Sequence, residues 1–149
     1  MVSVCVYFQV HQPMRLRKFS VFESGEHASH YERYFNDSLN REIFLKVARK
    51  CYFPTNSLLL DLVKKYDGKF KISYSLTGVF MEQCKRYAPE LLDIFKALAE
   101  TGCVDFLNET YYHSLSSLFW DKREFLEQIR LHKKALRGIH ARSEVFRNT

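Results

Sequence analysis

Glycine is scarce. Only 5 occur in the 149 residues, and none stands where the first apolar run, Val2 to Val10, gives way to His11-Gln12-Pro13. A doubly wound nucleotide-binding fold needs a glycine-rich turn there to cradle phosphates, so nucleotide chemistry is disfavoured. The 4 cysteines, Cys5, Cys51, Cys84 and Cys103, form no C-x-x-C pair. That argues against a zinc site and for buried free thiols in a reducing cytoplasm. No apolar run approaches the ~20 residues of a membrane helix, and Met1 leads into strand-like residues without a signal-peptide pattern. The expectation is a cytoplasmic protein with no membrane partner.

What is present is charge of mixed sign and many rings. The net charge is +6, with Lys122, Arg123, Arg130, Lys133, Lys134, Arg137 and Arg142 interleaved with Glu124 and Glu127. This reads as a solvated helix face; nucleic-acid binding would need a concentrated patch with a recognisable motif. Aromatics make up 15% of the chain, with 13 Phe and 9 Tyr. They suit a thick core first and a sugar-binding surface second. The length predicts one domain over 1–149.

Strand and helix patterns alternate. Val2 to Val10 reads as a strand covered on both faces, ended by Pro13. Met14 to Tyr34, with Phe19, Phe22, His27, His30 and Tyr31, has no clean period and is expected to be a long ordered loop. Asn40 to Cys51 predicts a helix broken by Pro54, and Leu58 to Tyr66 a second, closed by Asp67-Gly68. Phe70 to Leu76 is the second strand. Pro89 opens a helix with Leu91, Ile94, Phe95 and Leu98 on its apolar stripe, and Cys103 to Leu107 is the third strand. Asp121 with Glu124 resembles a capping box for a helix striped by Phe125, Ile129, His132, Leu136 and Ile139. Val145 to Thr149 begins a fourth strand. Such alternation implies an α/β fold with a parallel sheet, doubly wound or a (β/α) barrel.

Barrel sites form at the carboxyl ends of strands, and three such ends are polar. Gln9 and His11 share a face by alternation, as do Ser73, Ser75 and Thr77. The third end carries Asp105, then Asn108, Glu109, Tyr111, Tyr112 and His113. Imidazole, carboxylate and amide groups suit sugar hydroxyls, and rings suit the apolar faces of sugars. Ordinary roles stay open: His11 as a structural histidine, Glu109 as a cap, His113 as a loop residue, the serines as small barrel-filling residues. Asp105 is harder to dismiss, because an unpaired buried carboxylate is costly. Four residues along one strand would separate Asp105 from Glu109 by roughly 13 Å. Glycosidase carboxylate pairs sit about 5–9.5 Å apart, so these two read as substrate contacts.

Phe8-Gln9-Val10-His11-Gln12-Pro13 resembles the first signature of glycoside hydrolase family 57. Gly102 to Leu107 followed by Glu109 to Leu115 resembles its second, and Val145 to Thr149 the beginning of its third. Tyr34 to Asn40 and Tyr74 to Gly78 are similar to the α-amylase-type branch. The resemblance implies the first half of an incomplete, seven-stranded, TIM-like (β/α) barrel, a partial barrel cut in its fourth strand. It implies retaining chemistry on α-1,4-glucans such as starch, glycogen or maltooligosaccharides, without metal or cofactor. Gln9, His11, Asp105, Glu109 and His113 would contact substrate. Asp105 stands where the family usually has Glu. The nucleophile Glu would directly follow Thr149 and the acid/base Asp would come later, so the chain alone is expected to be inactive.

A typical barrel has ~250 residues. Half a barrel leaves open strand edges, so self-association or pairing with a complementing C-terminal half is expected. Two alternatives remain: a non-catalytic glucan-binding or split-enzyme half-barrel, and a metal-dependent deacetylase or mannosidase-like barrel. The latter lacks a carboxylate beside His11.

Overall fold

A computed structural model describes residues 2, 4–18, 20, 22, 29–140 and 143–149. Three strands, β1 (Val6–Val10), β2 (Ile72–Leu76) and β3 (Val104–Leu107), form a parallel sheet in the order β1-β2-β3. Helices α1 (His30–Tyr34), α2 (Asp37–Val47) and α3 (Phe53–Lys65) join β1 to β2. Helices α4 (Gly78–Tyr87) and α5 (Glu90–Glu100) join β2 to β3, and α6 (Arg123–Leu136) follows β3.

Order alone does not separate a barrel from half of a doubly wound sheet. The fourth segment does. Asn108, just past β3, pairs in parallel with Phe146; its N–H donates to Val145 O at 2.8 Å and its carbonyl accepts from Arg147 N–H at 2.8 Å. The winding therefore continues past β3, where a doubly wound sheet would return beside β1. This is the arrangement of part of a (β/α) barrel. The expected fourth strand is one bridge rather than a ladder, and a cavity of about 340 Å³ is lined by Asp105, Phe106 and Leu107 together with Ser143, Glu144 and Val145.

Alternation sorts the strand residues onto two faces. On one face Phe8 stacks on Tyr74 at 5.3 Å between centroids and Tyr74 on Phe106 at 5.9 Å. Phe95 of α5 meets Tyr74 edge-on at 5.4 Å, and the Tyr74 hydroxyl donates to Asn56 of α3 at 2.6 Å. The helices thus cover this face, and Phe44, Phe80, Leu76, Leu91 and Leu98 complete its core. The opposite face carries Tyr7, Ser73 and Asp105 at one level and Gln9, Ser75 and Leu107 at the next.

Several local expectations change. The β1 ladder begins at Val6 rather than Val2. Pro54 does not break the chain's helix: α2 runs into α3 through a π-helical turn, Ala48–Tyr52, in which Phe53 N–H bonds Ala48 O. A widened turn makes room for a ring that would strike the carbonyl four residues back. Part of the Met14–Tyr34 loop is helix α1, and its two ends clasp, with Leu16 bridging Phe35 and Arg17 N–H bonded to Tyr34 O at 3.0 Å. Phe19, His27 and Arg142 lie outside the described residues. No capping box forms at α6, since Glu124 accepts from Gln128 Nε2 at 2.8 Å instead of turning back. Only Cys84 is buried; Cys5 and Cys51 are exposed and Cys103 is intermediate. Among the described residues no helix is long and apolar enough to cross a membrane.

Candidate functional site

The polar groups gather where β1, β2 and β3 end. Thr77 closes β2 and caps α4, its hydroxyl accepting from Phe80 N–H at 3.2 Å. The same hydroxyl lies 3.1 Å from His11 Nδ1, which leaves His11 Nε2 free to face a ligand. The His11 ring stacks on His113 with centroids 4.7 Å apart. Burial, then the neighbouring His113, lowers the His11 pKa against an opposing pull from Glu109, so His11 is a neutral hydrogen-bonding group near pH 7.

Glu109 is 0% exposed. One oxygen accepts a short hydrogen bond from the Ser75 hydroxyl, and the other lies 3.2 Å from His113 Nδ1. Gln9 Nε2 is 3.0 Å from both His113 ring nitrogens. With His113 Nδ1–H donating to Glu109, His113 Nε2 is the ring nitrogen left to accept from Gln9. His113 reaches this place through a left-handed backbone, φ 55°, which costs a non-glycine residue energy and tends to persist where surroundings enforce it.

The structure therefore joins four of the five residues expected from sequence. Gln9, His11, Glu109 and His113 form one connected cluster. Both Glu109 oxygens are engaged, so Glu109 orients His113 rather than offering an oxygen to solvent. Asp105 shares the inner face but pairs in register with Ser73, one level further from the tips, and it lines the cavity beside Ser143 and Glu144.

Sequence reasoning missed the groups behind the cluster. His132 of α6 is 0% exposed. Its Nε2–H donates to Leu76 O at 2.8 Å, and its Nδ1 accepts from Glu109 N–H at 3.4 Å. Gln128, one turn earlier, accepts from the Ser114 hydroxyl at 2.8 Å and from Tyr112 N–H at 3.4 Å. The available signal was the spacing Glu124, Gln128, His132, a polar row on a helix otherwise read by its apolar stripe. Gly78 was quoted only within a motif. A Cβ there would overlap the Tyr111 ring, whose hydroxyl donates to Glu82.

Beside His11 opens a cleft of about 770 Å³ lined by Pro13, Met14, Tyr31, Phe35, Glu82 and Tyr112 among others. Its Tyr31 wall is held by neighbouring side chains, among them Arg86, which also lines the cleft. Arg86 lies 4.3 Å over the Tyr31 ring and 2.9 Å from Asp37, and the Tyr87 hydroxyl donates to Asp37 at 2.7 Å. The Tyr87 bond first, and Arg86 after burial has opposed it, holds the Asp37 carboxyl below the usual range. Among the described residues no three His, Cys, Asp or Glu side chains gather as a metal site would require.

With this geometry in hand, comparison with known proteins gives a consistent picture. The family model "Glycosyl hydrolase family 57" matches residues 5–149. A protein of Methanocaldococcus jannaschii named "Putative alpha-amylase" is 48% identical over 143 residues, which cover 95% of this chain and 30% of that protein. The chain thus spans under a third of its relative's length. Among solved structures, the 4-alpha-glucanotransferase of Thermococcus litoralis superposes with a TM-score of 0.55 over 66% of this chain and 15% of that one, at 18% identity; this likeness concerns the fold. The family match spans nearly every residue, both the strand tips and the helices behind them, and the chain belongs to glycosyl hydrolase family 57.

Proposed function

We propose that the strand tips and the adjoining cleft form the glucan-binding side of an α-amylase-type site acting on α-1,4-linked glucose polymers. One observation carries this reading: Gln9, His11 and His113 converge beside a cleft walled by Tyr31, Phe35 and Tyr112. Imidazoles and an amide can exchange hydrogen bonds with uncharged hydroxyls, and flat rings can cover the apolar faces of glucose units. The relative's name and the family point the same way.

Cleavage by a retaining route needs two carboxyl groups about 5–5.5 Å apart. Glu109 is occupied and Asp105 stands a level away. The resemblance puts the nucleophile Glu directly after Thr149 and the acid/base Asp further on. The Thr149 hydroxyl lies 3.2 Å from that of Thr110, the chain neighbour of Glu109. The 149 residues then bind glucan without cleaving it. Retaining hydrolysis needs a polypeptide that supplies both carboxylates, as part of the same protein or as a complementing half.

The test is a titration of the chain with maltoheptaose, followed by NMR of imidazole and tyrosine ring resonances. Shifts centred on His11, His113 and Tyr112, absent with cellohexaose, are expected. No shift, or shifts confined to other surfaces, would overturn the reading. Starch hydrolysis should be undetectable for the chain alone and appear on mixing with a polypeptide covering the remainder of a family member.

A further inference from the structure

Helix α6 is amphipathic in an unusual sense: its buried side is partly polar. Glu124, Gln128 and His132 follow one another at steps of four, so they lie along one face, and Gln128 and His132 are both buried. Each is spent on the loop that carries Glu109 and His113. His132 takes the Glu109 N–H and gives its own N–H to the last carbonyl of β2, Leu76. Gln128 takes the Ser114 hydroxyl and the Tyr112 N–H, on either side of His113, while its amide N–H is held by Glu124. Ser114 N–H in turn bonds the Thr110 hydroxyl at 3.0 Å. The left-handed His113 is therefore bracketed at both chain neighbours by bonds that end on one helix.

We propose that His132 and Gln128 are positioning residues for the site. They fix the 109–114 loop so that the His113 imidazole meets Glu109, Gln9 and His11 in one tautomer. Neither touches the cleft. The role rests on reading the strand tips as a glucan site, but its first consequence does not: the His113 tautomer is set by α6 whether or not sugar binds. Apolar packing alone would have asked only for Leu or Phe at these buried positions. A side chain that bonds two different strand ends is needed only if their relative position matters.

Long-range proton–nitrogen NMR of the imidazoles tests this on the whole chain. In the unaltered protein His113 is expected as the Nδ1–H form and His132 as the Nε2–H form. Gln128→Ala should leave the fold intact while the His113 signals move to a mixture of tautomers. Maltoheptaose affinity should fall about fivefold to tenfold, the scale of one misaligned hydrogen bond. His132→Phe, similar in size, should do the same; His132→Asn, which retains a donor and an acceptor, should recover part of the effect. If His132→Phe does not fold, Gln128→Ala and His132→Asn decide the matter. Lowered thermal stability with His113 unchanged in tautomer and affinity would overturn the proposal and leave α6 a purely structural helix. If unaltered protein ignores maltoheptaose, the glucan reading fails, while the tautomer readout still decides the positioning role.

Discussion

At the scale of single residues, the site is governed by who donates to whom. Glu109 accepts from Ser75 and from His113, and both partners have an alternative only at a cost. In Glu109→Gln the amide oxygen can still face His113, but the amide NH₂ then faces Ser75. The Ser75 hydroxyl must turn to accept, and its proton is left buried without a partner. Losing a charge-assisted bond and stranding a donor should cost about 1–3 kcal/mol, read as a drop in the urea midpoint at unchanged slope. Gly78 makes a steric counterpart. Gly78→Ala drives a methyl into the Tyr111 ring, at the first residue of α4, where the helix itself would welcome alanine. The expected outcome is destabilisation of about 1–3 kcal/mol, with Tyr111 displaced from Glu82. A neutral or stabilising result by thermal unfolding would show that the ring has room to yield.

At the scale of elements, the strands and most helices were legible because each has a simple period. Alternation placed Gln9 with His11 and Ser73 with Ser75 and Thr77; the register keeps Gln9, Ser73 and Ser75 on the inner face, and His11 and Thr77 meet just past the strand ends. The turn before Pro54 was not legible: a proline in a helical run usually marks an end, and only the neighbouring backbone decides whether a π turn absorbs it. Helix α1 was hidden because five residues, His30–Tyr34, are too few to show a period. His132 was legible as a buried position and illegible as a hydrogen-bonding one, since its partners are the backbone atoms of Leu76 and Glu109, far away in sequence. That docking gives α6 an acid weakness. Burial lowers the His132 pKa more than its Leu76 bond and Glu109 raise it, and burial lowers that of His11 as well. In the unfolded chain both titrate near ~6.5. Above that pH folded and unfolded chains bind equal numbers of protons at these groups. Below it the unfolded state takes up protons that the folded state refuses, so stability falls as pH falls. Urea midpoints should therefore be lower at pH 5.5 than at pH 7.5, with a smaller difference in His132→Asn. An equal difference in the variant would mean that His132 is not a source of the pH dependence.

At the scale of the whole molecule, the inner face of the sheet is spanned from beyond β3 back to β1. Arg147, from the segment beyond β3, lies 5.9 Å over the ring of Tyr7 on β1. It reaches across the inner face, where β2 offers only Ser73 at the same level. Such reach across two intervening strands fits a sheet that closes on itself. Yet among the described residues no strand pairs with the outer edge of β1, and an open edge is a template for another strand. A second adhesive surface lies on the loop after β3, where Leu118, Phe119 and Trp120 are exposed, Trp120 at 101%. The 149-residue chain should therefore self-associate with rising concentration in sedimentation velocity. Two variants separate the causes. Val4→Lys places a charge at an exposed position just ahead of β1, where it should block strand addition and leave the core untouched. Trp120→Ser with Phe119→Ser removes the rings alone. Edge pairing predicts that Val4→Lys restores the monomer and the ring variant does not. The opposite result would move the contact to the loop, and a monomer at every concentration in the unaltered chain would mean that the open edge is already protected.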